Sequence, residues 1–221
     1  MSITIGFYDF FSYTVPGLLY LYTINKFLEI INFPYVSLED ISLDIWFAII
    51  GVVLSYIVGA LLDTFAYRWY LLFHKNKVEQ RVIDNFKKYY PDLKVDFAIH
   101  DRRLAFSFIR HNNLELAENI DKFKALSIML QNISFGLLLF SVVQIIKLIL
   151  GGYSDFVLVS MLITLIFSYV AIHRSALFNF WYWSGNFEQA LHYGKSVSEM
   201  FSQYEQNERE NKNKSRHIKK K

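Results

Sequence analysis

The chain has 221 residues, 53% of them hydrophobic and 18% aromatic, with a formal net charge of +3 and no cysteine. The missing cysteine excludes disulfides, thiolate catalysis and cysteine-ligated zinc or iron–sulfur centres. Twenty-one Phe and fifteen Tyr, set among several uncharged apolar runs, exclude an ordinary water-soluble domain and point to a bilayer.

Four membrane segments follow in chain order, at about 10–31, 46–70, 125–148 and 154–175. The expected fold is all-α: a polytopic membrane protein of four transmembrane helices with a helical cytoplasmic stalk. The opening MSITIGFYDFF lacks the basic start and small-residue cleavage site of a secretory signal, and reads as a retained first membrane helix. Pro16-Gly17 near its start predicts a kink or a re-entrant beginning. Residues 1–73 form the first transmembrane hairpin, and 125–178 the second. The turn Leu150-Gly-Gly-Tyr-Ser-Asp155 is too short for anything but antiparallel neighbours.

Between the hairpins, 74–124 is the sizeable polar stretch. Val78, Val82, Phe86 and Tyr89 recur at helical spacing until Pro91 stops them, so the second helix is expected to run on as far as Tyr90. A short helix is expected at about 97–110. Asn112 and Glu115 then give an N-x-x-E start signal that leads directly into the third membrane helix. Residues 179–221 continue the fourth helix and end in a polar basic tail, NERENKNKSRHIKKK, expected to be disordered.

Charge sets the orientation. The first loop holds Lys26 against Glu29, Glu39, Asp40 and Asp44, whereas 68–124 hold twelve Lys and Arg. The basic regions belong inside, which places both termini and the middle segment in the cytoplasm and the protein in a bacterial inner membrane. Their basic surface suits the anionic leaflet. A soluble protein, RNA or ribonucleoprotein is the competing partner.

Small and polar residues then form stripes. Gly51, Ser55, Gly59 and Asp63 recur every fourth residue, a seam for close helix approach, within the chain or in a homo-oligomer. The third helix carries Ser127, Gln131, Ser134 and Ser141, with Gln144 at the edge; the fourth carries Ser160, Thr164, Ser168 and Ser175. On the first helix, Asp9, Ser12, Pro16, Tyr20 and Thr23 make a similar line. These stripes either line a water-filled path in an oligomer or hydrogen-bond across the bundle, the commoner use. Asp63, Arg68, His173 and Arg174 lie at one depth as candidate inner-mouth charges, with Asp63 expected to pair with Arg174 or Arg68 unless the arginines merely snorkel. Tyr67, Trp69 and Tyr70 with Phe178 to Trp183 read as an interfacial aromatic belt. Arg68 and His74 have an R-x5-H spacing, but it falls in a membrane-surface run. No metal-ligand spacing, catalytic triad or phosphate loop occurs, so neither enzyme nor cofactor is expected.

The segments FYDFFSYTVPGLLYL and LSYIVGALLDTF, with the order helix, acidic loop, helix, basic stalk, hairpin and basic tail, resemble small bacterial membrane proteins encoded beside anti-phage systems. These are the accessory membrane protein of type VI-B CRISPR loci and the membrane subunit of the Kiwa system. The resemblance is one of architecture over most of the chain. It implies a non-enzymatic membrane partner that acts with a soluble nucleic-acid-directed component by changing membrane permeability. Together with the stripes and the basic cytoplasmic surface, the leading expectation is an oligomeric inner-membrane effector or accessory protein that couples to a cytoplasmic partner and forms a pore. A non-conducting anchor or scaffold and a small transporter are the alternatives.

Overall fold

The computed structural model describes residues 7–33, 45–74, 77–89, 110, 114–151 and 154–192. All of its regular structure is helical: α1 (Phe7–Ile30), α2 (Ile45–His74), α3 (Lys77–Tyr89), α4 (Leu114–Gly151) and α5 (Asp155–His192). The chain divides into two compact units, residues 1–78 with 122–180 and residues 79–121 with 181–221.

Among the described residues, three helices are long and apolar enough to cross a membrane, spanning Ala48–His74, Ala117–Gly151 and Asp155–Asn186. Their surfaces agree with that reading. Ile49, Val53, Ile57, Leu61 and Phe65 of α2 are exposed, as are Phe156, Ile163, Ile166 and Phe167 of α5, while Ser55, Asn132, Ser134 and Ser175 are fully buried beside Tyr20, Ala66 and Ile172. Such reversed polarity suits lipid outside and hydrogen-bonded helices within.

In the first unit, α1 is one continuous helix with Pro16 inside it. Pro16 is fully buried, so packing supports the turn that lacks its amide donor. Asn32 ends α1 with φ 52°, a left-handed conformation that Asn tolerates. Phe33 N–H donates to the Leu28 carbonyl at 3.1 Å and Asn32 N–H to Glu29 at 3.2 Å, the paired bonds of a Schellman cap. Lys26 and Glu29, 2.8 Å apart, form a surface pair on the last turn.

The run expected as far as Tyr90 is helical over Ile45–His74 and over Lys77–Tyr89, and residues 75, 76 and 90 lie outside the described residues. At its other end α4 starts one residue before Glu115 and runs unbroken into the third apolar segment, as expected. Only residues 152–154 lie between α4 and α5, and Asp155 places its carboxylate in the first turn, where the helix dipole favours it. The helix expected at 97–110 (Arg110 apart) and the tail from Tyr193 lie outside the described residues. The second unit packs Tyr182 of α5 against buried Ala117 and Ile120 of α4.

Candidate functional site

The seam of α2 faces α1. Ser55 is fully buried and its hydroxyl donates to the Gly51 carbonyl at 2.6 Å, which removes the donor from the apolar surroundings. A side-chain carbon on Gly59 would collide with the Tyr13 carbonyl, and one on Gly17 would collide with the Ser55 carbonyl. The two glycines therefore form reciprocal notches that bring the α1 and α2 backbones together. Ring contacts flank them: Phe10 stacks on Tyr56 at 5.7 Å and Tyr13 meets Tyr56 edge-on at 5.8 Å. Gly51 has open space where its side chain would be and belongs to no such contact. The seam thus serves packing within the chain, and Gly17 is the half that spacing alone does not reveal.

Asn132 is the node of the first unit. Fully buried on α4, it receives the Tyr20 hydroxyl of α1 at its backbone carbonyl (2.8 Å), with its own Oδ1 at 3.2 Å. Its Nδ2 donates to Asp63 Oδ1 of α2 at 2.8 Å and to the Ile128 carbonyl at 3.1 Å. One amide thereby ties three helices, because it alone offers an acceptor and two donors at one point. Of the two readings of Asp63, pairing with Arg174 or Arg68 is not what the structure has; its partner is Asn132, and both arginines are exposed, as snorkelling requires. Arg68 is exposed, and the Arg174 guanidinium lies over the Phe178 ring at 5.7 Å. A neutral amide that is already buried satisfies Asp63 without dragging a second charge into the apolar layer.

The stripes of α4 and α5 meet each other. The Ser134 and Ser168 hydroxyls each donate to the other residue's backbone carbonyl at 2.8 Å. Seven residues along, Ser127 and Ser175 repeat the exchange at 3.1 and 3.0 Å. At the far end the Ser141 and Thr164 hydroxyls stand 2.7 Å apart. Steps of seven keep such rungs on the seam of two helices that coil slightly around each other. Gln131 joins the ladder through Ser127 at 3.2 Å, whereas half-buried Gln144 and Ser160 stand outside it. Ser12, Pro16, Tyr20 and Thr23 of α1 are buried as their line predicts; the Asp9 side chain lies outside the described residues. We expect Ser134→Ala or Ser168→Ala to cost only about 0.6 kcal/mol each, read as small shifts in thermal unfolding in detergent.

Two expected belt residues turn inward instead. Trp69 Nε1 donates to Ser134 Oγ at 3.1 Å, and buried Tyr70 receives Asn179 Nδ2 on its hydroxyl at 3.0 Å. Each ring buries its apolar body because its polar tip finds a partner in the bundle. Tyr70, Ile172 and Ala176 form an apolar cluster there, joining α2 to α5. Tyr67 remains exposed in the belt position.

Next to this cluster, His74 of α2 and His173 of α5 place their rings 5.0 Å apart, with Tyr169 at 4.2 Å from His173. His173 Nδ1 bonds the Tyr169 carbonyl at 3.0 Å. Among the described residues, no three His, Cys, Asp or Glu side chains converge to hold a metal ion. Chemically, the arrangement described here holds helices together: hydroxyl and amide groups answer one another across α1, α2, α4 and α5. No protein-family model, curated protein or solved structure matches the chain.

Proposed function

We propose that the chain is a non-enzymatic protein of a bacterial inner membrane that anchors or scaffolds a cytoplasmic partner, in keeping with its resemblance to membrane components of anti-phage systems. In this reading α1 is a fourth span. It runs antiparallel to α2, with Gly17 against Ser55 and Tyr13 against Gly59, and hydrogen-bonds α4 through Tyr20. Both termini are cytoplasmic, and the basic stretch 68–124 and the tail meet the partner there.

The single observation that favours an anchor over a pore is the serine ladder. Ser127, Ser134 and Ser141 are buried against α5 of the same chain, so the stripe best suited to line a lumen is already spent. The test is ion flux from liposomes carrying the purified protein, together with its mass by light scattering. Liposomes that stay sealed, with or without cytoplasmic extract, agree with the anchor. A defined oligomer that releases ions supports the pore and overturns it.

A further inference from the structure

We propose that His74 and His173 form a proton-operated latch, which holds the end of α2 to α5 until both imidazoles are charged. The latch works equally in a scaffold or a pore and rests on neither reading.

It is built where two long helices leave their apolar layer. His74 is the last residue of α2, and His173 follows the uncharged run 156–172 of α5. His173 is exposed and His74 half-buried, so protons from the aqueous side reach the pair. Their ring centroids stand 5.0 Å apart with 78° between planes, an edge-to-face contact that neutral rings favour. One charge is tolerated too, because a cation is attracted to the faces of the rings around it. Tyr169 lies 4.2 Å and Phe73 6.3 Å from His173, and Tyr70 lies 5.3 Å from His74.

A second charge reverses the balance. Two imidazolium rings at 5.0 Å repel, and partial burial weakens the screening between them. The His173 ring is held by its Nδ1–H, which donates to the Tyr169 carbonyl at 3.0 Å in either charge state. The repulsion therefore acts on the helices more than on one rotamer. The described charged and titratable groups on α2 and α5 at this end are the phenols of Tyr70 and Tyr169 and the exposed cations Arg68 and Arg174. Asp63 is committed to Asn132, about three turns back along α2. From α4 come the Ser127 and Ser134 hydroxyls. Behind the pair lies the cluster of Tyr70, Ile172 and Ala176, on which Val78 in the first turn of α3 also packs. A fall in pH that parts the histidines thus loosens the support of that turn.

The experiment uses the lack of native cysteine. Leu72→Cys and Val170→Cys, at exposed positions of α2 and α5, carry spin labels in the full-length protein reconstituted in liposomes. Pulsed electron resonance reads the distance between the labels from about pH 8 to about pH 5. The distance should hold steady down to about pH 7. Below that it should lengthen reversibly by about 2 Å or more. His74→Phe and His173→Phe each keep a ring and remove its charge, so each should fix the distance at its high-pH value. His74→Gln and His173→Gln replace any Phe variant that fails to fold. A parent distance that does not change with pH overturns the proposal. A response that survives removal of either histidine also overturns it, because the latch needs two charges. Lengthening accompanied by loss of helical circular dichroism is general acid unfolding and overturns it as well.

Discussion

Gly59→Leu should unfold or dissociate the α1–α2 hairpin, at a cost of at least about 3 kcal/mol. The new side chain has to enter space occupied by the Tyr13 backbone carbonyl. Rotamer adjustment does not relieve such a clash, because the obstacle is main chain in the interior of a continuous helix. Gly17→Leu should act alike from the other side, through the Ser55 carbonyl. Gly51→Leu is the control, with open space at its side-chain position, and should stay within about 0.5 kcal/mol of the parent. Thermal unfolding in detergent, followed by size-exclusion profile, separates the three. A Gly59→Leu protein that unfolds at the parental temperature but no longer self-associates would move the seam from within the chain to between chains.

Asn132→Leu should cost about 2–4 kcal/mol. The loss leaves the Asp63 carboxylate without its amide donor inside a membrane-crossing helix, and the Tyr20 hydroxyl without the side-chain acceptor. The cost arises mainly from stranding Asp63, so it should shrink when Asp63 is removed as well. Asp63→Leu combined with Asn132→Leu should recover more than half of the sum of the single losses. A double-mutant cycle therefore reads the pair directly. By the same geometry, exchanging the charges of Asp63 and Arg174 should rescue nothing, since Arg174 keeps company with Phe178. A cycle with no coupling between positions 63 and 132, or a charge exchange that restores stability, would contradict the node.

The sequence makes the helices legible and leaves half of each contact unseen. Uncharged runs of the right length mark α2, α4 and α5, and the short Gly151–Asp155 turn marks their last hairpin. The α1 helix is visible too, although Ser12, Tyr13, Thr14, Pro16, Tyr20 and Tyr22 interrupt its apolar run. Periodicity also identifies Ser55, Gly59, Ser127, Ser134 and Ser141 as facing something, because small and hydroxyl residues at helical spacing occupy one side. It does not name the partner. Beside Pro16, Gly17 reads as part of a kink or re-entrant beginning, and its use as a notch depends on where α2 crosses. Asn132 sits beside the striped residue Gln131 but about 100° around the helix, so a search along one face passes it by. Its signal is chemical: an amide with two donors and an acceptor inside the uncharged run that starts at Ala125. Trp69 and Tyr70 were misplaced for the converse reason, since aromatic rings near a membrane end suit an interface as well as a core.

The most direct measurement uses the absence of native cysteine. Ser134→Cys and Ser168→Cys are introduced together, the protein is oxidised in intact membranes, and the products are separated by size. The account predicts a disulfide within one chain and cysteines shielded from a charged, membrane-impermeant thiol reagent, because the two residues face each other on α4 and α5. Cysteines that react freely with that reagent, or cross-link only between chains, would place the ladder in a water-filled assembly and contradict it.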